Sequence, residues 1–104
     1  MIEITKDNVE EVLKNKTVVV KFGAPWCNPC KSIAPVFENI AKTLDGEVEF
    51  ATCDIDNNYE LAANCKIKSV PAFILMKDGI VIDTVVGALN PTQLEEAITN
   101  MVKG

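Results

Sequence analysis

A continuously apolar segment that leads directly into an amphipathic one constrains the fold more than any other feature of the sequence. Residues 17–22 read Thr-Val-Val-Val-Lys-Phe, a β-branched run typical of strands that are covered on both faces. After Gly23-Ala24-Pro25, apolar residues recur at spacings of three and four between residues 28 and 44. A buried strand followed by a long helix indicates an α/β fold with a sheet between helices.

The other periodic segments continue this alternation. We expect a strand at 2–4, a helix at about 7–15, a strand near 47–54, a short helix after 57, strands at 73–77 and 80–86, and a helix after Gly87. Asp7 and Asn57 are the predicted N-caps, and Lys77-Asp78-Gly79 is a hairpin signature. The order predicts a mixed sheet sandwiched between helices.

Length and charge limit the possible partners. The chain has 104 residues, which predicts a single domain over 1–104. A formal charge of −5 argues against general binding to nucleic acid or to anionic membranes. No apolar run approaches the ~20 residues of a membrane span, and the N-terminal residues do not resemble a secretory signal. We therefore expect a cytoplasmic protein whose partners are other proteins.

Two of the four cysteines, Cys27 and Cys30, are separated by two residues, at the point where the central strand ends and the helix begins. At a helix N-terminus, unpaired N–H groups and the helix dipole favour a thiolate, so Cys27 is the predicted nucleophile. Residues three apart on a helix have Cβ atoms roughly 5 to 6 Å apart, so Cys30 can resolve a mixed disulfide formed at Cys27. Pro29 suits the first helical turn and should hold the two sulfurs in register.

Two alternative interpretations of this pair have little support. Buried, inert thiols are uncommon at such a position, and the pattern itself is typical of redox sites. A zinc site would need two more ligands, whereas the chain has no His and Cys53 and Cys65 do not form a second close pair. No metal is expected.

The segment Phe22 to Lys31, followed by Pro35, Val70-Pro71, Gly79 and Val86-Gly87-Ala88, resembles the thioredoxin family over nearly the whole chain. The resemblance implies a five-stranded mixed sheet with four helices and the activity of a general protein disulfide reductase. It implies recycling by a flavin-containing thioredoxin reductase, with no cofactor beyond the Cys27–Cys30 disulfide. We expect a monomer acting on disulfide-containing target proteins.

The same resemblance assigns a substrate-docking surface. It implies a cis Val70–Pro71 bond that faces the dithiol, with the backbone beside it pairing with the substrate peptide. The predicted docking patch comprises Trp26, Ile55, Val70, Pro71, Val86, Gly87 and Ala88. For Ile55 and Val86, core packing is an equally good interpretation.

The sequence departs from the family pattern at residues expected to tune the redox chemistry. Asn28 stands where the commonest motif has Gly, next to Pro29. Lys21 stands where many members keep a buried Asp credited with proton transfer at the resolving cysteine, and Thr52 replaces the Lys that often accompanies it. A buried ammonium requires compensation. We expect Lys21 to lie near the sulfurs, to favour the thiolate and to make the protein a weaker reductant than one with Asp there.

Other functions remain as alternatives. A glutaredoxin would share the fold but normally has a Cys-Pro-Tyr-Cys or single-cysteine motif, and a non-catalytic binding module would normally lose a cysteine. A specialised electron carrier dedicated to one enzyme would keep the same chemistry. The electron source, NADPH or ferredoxin, stays open. Cys53 is expected to be a small buried hydrophobe and Cys65 to be more exposed, with a regulatory thiol as the alternative.

Overall fold

The structure is a computed structural model that describes residues 1–14, 16–44 and 46–104. The elements of these residues are, in chain order, β1 (Ile2–Ile4), α1 (Val9–Leu13), β2 (Thr17–Gly23), α2 (Asn28–Thr43), β3 (Glu49–Asp54), α3 (Tyr59–Asn64), β4 (Ala72–Lys77), β5 (Ile80–Val86) and α4 (Pro91–Lys103). The predicted alternation of strands and helices is therefore confirmed.

The strands form one five-stranded sheet in the order β1-β3-β2-β4-β5. Strand β2 lies at its centre, parallel to β3 and antiparallel to β4. Strand β1 runs parallel to β3, and β5 runs antiparallel to β4. The sheet is mixed, as the sequence predicted, and its five strands and four helices are those that the resemblance implied.

Strand β2 divides the core because its side chains alternate between the two faces of the sheet. Val18, Val20 and Phe22 are fully buried in a cluster that includes residues of α1 and α3. Val19 is fully buried in a second cluster, which includes residues of α2 and α4. Both faces of the central strand are therefore covered, and its C-terminal end is held firmly between the two layers.

The start of α1 differs from the prediction. The helix begins at Val9, with Asn8 rather than Asp7 at the N-cap position. The side chain of Asn8 stabilises the turn that precedes the helix. Its Oδ1 accepts from Thr5 N at 2.8 Å, and its Nδ2 donates to Glu3 O at 2.9 Å. Because of that turn, the helix begins later in the sequence than predicted. The predicted end at residue 15 lies outside the described residues.

The starts of β3 and α3 also differ from the prediction, because each follows a hydrogen-bonded turn. Strand β3 begins at Glu49 rather than near 47, because the Glu47 N–H is turned back to donate to Leu44 O at 3.1 Å. Helix α3 is capped by Asn58 rather than Asn57. The Asn58 Oδ1 accepts from Leu61 N at 3.1 Å, and the N–H groups of both Asn57 and Asn58 donate to Asp54 O in the preceding turn.

The predicted hairpin between β4 and β5 is confirmed. Asp78 and Gly79 both have positive φ, 51° and 78°, which is the backbone of a type I′ turn. The hairpin returns the chain so that Val86 pairs with Ala72, and the Gly87 N–H donates to Pro71 O at 3.0 Å. The end of β5 is thereby fixed beside the Val70–Pro71 segment.

The corrected cap of α3 can be tested by paired substitutions. Asn58→Ala should lower the free energy of unfolding by about 1 kcal/mol, because the first turn of α3 loses its side-chain acceptor. Asn57→Ala is the matched control, and it should change stability by less than about 0.5 kcal/mol because Asn57 is exposed. Urea unfolding of the oxidised proteins measures both. A larger loss for Asn57→Ala would show that Asn57 is the effective cap.

Candidate active site

The two cysteines lie where β2 delivers the chain to α2. The Cys27 N–H donates to Ala24 O at 3.1 Å in the connecting turn, and Cys27 occupies the N-cap position of α2 with extended backbone. Cys30 lies one turn into the helix, its Cα 5.3 Å from that of Cys27, and the two residues are joined by a disulfide. Both cysteines are buried, and each is 5% exposed. The turn and the cap therefore bring together the predicted pair.

The two sulfurs have different surroundings. The Cys30 N–H donates to Cys27 Sγ at 3.2 Å, and Val70 O lies 3.8 Å from the same sulfur. Cys30 instead packs against the end of β2, where a Cβ added at Gly23 would lie 3.4 Å from Cys30 Sγ. A helix amide thus points at Cys27, and negative charge on Cys27 is favoured by that hydrogen bond and by the helix dipole.

The Val70–Pro71 peptide bond is cis, as the resemblance implied. Val70 is half-buried against the small cluster formed by Ala24, Cys27 and Cys30. Pro71 is buried, and its carbonyl is bonded to the end of β5. The segment predicted to accompany the dithiol therefore lies directly beside Cys27.

The remaining residues of the predicted docking patch differ in exposure. Trp26 is 66% exposed and Val86 is 54% exposed. The core-packing interpretation is therefore wrong for Val86, because β5 is an edge strand and this side chain faces solvent. Ile55 is half-buried against the dithiol cluster and the core below it. Gly87 is half-buried and Ala88 is exposed.

Asp56 is a site residue that the sequence reasoning missed. Its Oδ2 accepts from Trp26 Nε1 at 3.2 Å and so restrains the orientation of the exposed indole. The two residues are 30 positions apart, and only the parallel pairing of β2 with β3 brings them together. The local sequence around Asp56 carries no signal of this contact.

The residues predicted to tune the redox chemistry lie in two places. Asn28 and Pro29 are exposed in the first turn of α2, between the cysteines. Lys21 is half-buried on β2, and its Nζ lies 5.9 Å from the centre of the Phe37 ring on α2. Desolvation lowers the pKa of Lys21, and the charge of Glu38 acts in the opposite direction.

The other two cysteines are free and buried in the same core cluster. Burial, followed by the charge of Asp54, raises the pKa of Cys53 from its ordinary 9.0 to about 12. Because this folded-state value lies above the unfolded one, the stability it contributes is present below about pH 9 and lost as the pH rises towards 12. Burial also raises the pKa of Cys65. Cys65 is more exposed than Cys53, as expected, at 9% against 2%, but both side chains are buried.

Within residues 1–14, 16–44 and 46–104, no group of three or more His, Cys, Asp or Glu side chains is arranged to hold a metal ion. In the same residues, no helix combines the length and the apolar character needed to cross a membrane.

A mixed sheet that presents a Cys-X-X-Cys disulfide at the head of a helix defines a thiol–disulfide oxidoreductase. The family model described as Thioredoxin matches residues 1–100. A thioredoxin from Staphylococcus haemolyticus is 37% identical over 98 residues, covering 94% of this chain and 94% of the relative. One from Malassezia sympodialis is 46% identical over 86 residues, covering 82% of this chain and 81% of the relative.

The crystal structure of oxidised mitochondrial thioredoxin 3 from Saccharomyces cerevisiae superposes with a TM-score of 0.80 at 32% identity, covering 96% of this chain and 94% of that chain. The chain therefore belongs to the thioredoxin family. It is a protein disulfide reductase that uses a redox-active disulfide, and its family implies a thioredoxin reductase and disulfide-bearing proteins as partners.

The different surroundings of the four thiols predict a clear order of reactivity. In the fully reduced protein at pH 8, iodoacetamide should modify Cys27 first, because the helix amides favour its thiolate. Cys53 and Cys65 should react only after unfolding in urea, since burial disfavours their thiolates. Peptide mass spectrometry at timed intervals assigns each site. Modification of Cys65 in the native protein at its rate in urea would contradict the assignment.

Proposed function

We propose that the chain reduces protein disulfides by dithiol–disulfide exchange, with Cys27 as the nucleophile and Cys30 as the resolving thiol. The observation that carries this assignment is the hydrogen bond from the Cys30 N–H to Cys27 Sγ at the head of α2. A helix-terminal amide stabilises a thiolate on the sulfur that it faces. Cys30 lies a turn inside the helix and receives no such bond among the described residues.

The reaction proceeds in two balanced exchanges. The Cys27 thiolate attacks one sulfur of the target disulfide, forms a mixed disulfide, and releases the other target sulfur as a thiolate that takes up a proton. Cys30 then loses its proton and attacks Cys27 Sγ. The Cys27–Cys30 disulfide forms, and the second target thiolate leaves and is protonated. Two electrons pass to the target, and the thioredoxin reductase returns them.

The surface around Cys27 suits an extended target peptide. The Val70 carbonyl lies 3.8 Å from Cys27 Sγ. Trp26, directly before Cys27, and Val86, at the end of β5, are exposed apolar side chains. We infer that the target pairs with the backbone at Val70 and lays apolar side chains on the docking patch. Asn28 and Pro29, between the cysteines, would adjust the stability of the thiolate.

The wider setting follows from the same chemistry. We propose that the protein acts in the cytoplasm as a monomer, without a bound cofactor or metal, and independently of nucleic acid and membranes. A reducing compartment is supported by the two free core cysteines. A flavoprotein thioredoxin reductase is the proposed source of electrons. The continuous sheet and the family match over residues 1–100 support one domain over 1–104.

The roles of the two cysteines can be separated by trapping. Cys30→Ser should attack target disulfides and accumulate as a mixed disulfide, because no thiol remains to resolve it. Cys27→Ser should form no such adduct. It should also lose nearly all of the parent protein's catalysis of insulin reduction, with dithiothreitol as the electron donor. Non-reducing electrophoresis and mass spectrometry detect the adducts. Trapping by Cys27→Ser alone would reverse the assignment.

The docking patch offers a second test with a matched control on the same strand. Val86→Asp should raise KM for a protein disulfide about five- to thirtyfold, as expected for the loss of about 1 to 2 kcal/mol of apolar contact. Ile82→Asp should leave KM near that of the parent, because Ile82 is comparably exposed, at 57%, but lies four residues earlier on β5. Equal effects of both substitutions would contradict docking at Val86.

A further inference from the structure

Lys21 is the one charged residue of β2, the central strand of the sheet. By the alternation of the strand it lies on the face of Val19, towards α2, and it is paired with Thr52 on β3 and Phe73 on β4. Its ammonium lies over the Phe37 ring. The side chain is therefore held between the sheet and α2 and is only partly open to solvent.

The ammonium is poorly compensated at this position. Among the described residues, the salt bridges join Lys16 to Glu49 and Lys103 to Glu47, and none involves Lys21. Glu38 raises the pKa of Lys21, but desolvation is the larger effect and lowers it. A half-buried cation without a salt bridge stabilises any negative charge that forms near it more strongly than an exposed cation does.

One of the two active-site cysteines borders the same cleft as Lys21. Lys21 lines a cleft of about 290 Å³ at the C-terminal end of β2. Cys30 lines this cleft, together with Gly23 and Lys31, whereas Cys27 does not. Cys27 lies instead beside the Val70 carbonyl. Lys21 and the predicted resolving cysteine therefore border the same cleft, and the predicted nucleophile does not.

Cys30 needs a cationic partner for the resolving step of the exchange. It is 5% exposed, and it must become a thiolate before it can attack the mixed disulfide. Burial disfavours that charge. The amide that stabilises the neighbouring sulfur is the N–H of Cys30 itself, and it points at Cys27. The chain thus provides a hydrogen bond for one sulfur and leaves the other to be stabilised by charge.

We propose that Lys21 is the cationic partner of the Cys30 thiolate and promotes the resolving step of the exchange. The inference deepens the proposed function and rests on it. Cys30 gives its proton to solvent through the cleft, its thiolate attacks Cys27 Sγ, and the target sulfur leaves and takes up a proton. Lys21 remains an ammonium throughout and acts as a positioning residue, through Cys30.

The other charged groups around Cys30 act more weakly or in the opposite direction. The titratable residues that border the cleft are Glu3, Lys21, Cys30, Lys31, Cys53 and Asp54, and the Cys53 side chain lies in the core cluster on the opposite face of the sheet. The Glu3 and Asp54 carboxylates oppose a thiolate, and Glu38 on α2 partly offsets Lys21. Lys31 favours a thiolate, but it is exposed and its charge is screened by solvent and salt. Lys21 is the half-buried cation of this group.

The experiment follows Cys30 alone in a Cys27→Ser background. The rate of Cys30 alkylation by iodoacetamide is measured against pH by peptide mass spectrometry, so that Cys53 and Cys65 do not contribute. Lys21→Met should move the profile to higher pH and slow alkylation at pH 7 by roughly two- to tenfold. The thiolate population falls as the thiol pKa rises, but each thiolate becomes more nucleophilic, which offsets about half of the effect on the rate. Lys21→Arg should restore the parent profile.

Two controls separate this role from a structural one. Lys31→Met removes an exposed charge next to Cys30 and should shift the profile less than Lys21→Met. Lys21→Gln provides a second neutral variant if Lys21→Met fails to fold, as judged by circular dichroism. An unchanged profile in the folded neutral variant, or an equal shift with Lys31→Met, would overturn the proposal. Insulin reduction by the two-cysteine parent separately tests the proposed function, and its absence would overturn that function instead.

Discussion

Packing of β2 on both of its faces is the constraint on which the active site depends. Val18, Val20 and Phe22 are held by one helical layer and Val19 by the other, so the strand cannot shift without opening both parts of the core. The chain leaves this strand at Gly23 and begins α2 only a few residues later. The dithiol is therefore attached to a backbone that is held on both sides, and Cys27 lies beside the Val70 carbonyl at the end of the sheet.

That attachment gives the two cysteines unequal chemistry from identical side chains. The N-cap position exposes Cys27 to a backbone amide, and one turn of helix places Cys30 against the end of the strand. A family that relies on a redox-active disulfide needs this inequality, because one sulfur must attack readily and the other must wait until a mixed disulfide exists. Here the amide at Cys27 is supplied by backbone geometry alone.

The charge at residue 21 of β2 is where this member of the family departs from the usual pattern. Where many members keep a buried Asp, this chain has a half-buried Lys over an aromatic ring, with Thr52 beside it. The sign of the charge at this strand position is therefore reversed. A carboxylate can accept a proton from the resolving thiol, whereas an ammonium can only stabilise the thiolate once the proton has gone.

The sequence by itself determined the order of the elements, the mixed sheet and the position of the dithiol at the head of a helix. These features depend on local periodicity and on Gly and Pro at the turns, which act over a few residues. The element boundaries were less predictable. Asn57 and Asn58 are equivalent as local cap signals, and the choice of Asn58 depends on a turn to Asp54.

Only the tertiary structure decided what surrounds the sulfurs. The contact of Asp56 with Trp26, the exposure of Val86 at the sheet edge and the burial of Cys65 all depend on strand order and on the packing of α3. The sequence suggested that Lys21 lies near the dithiol, but not which of the two cysteines borders the same cleft as Lys21. That distinction requires the direction of each side chain relative to a strand and a helix that meet in space, and no local pattern of residues contains it.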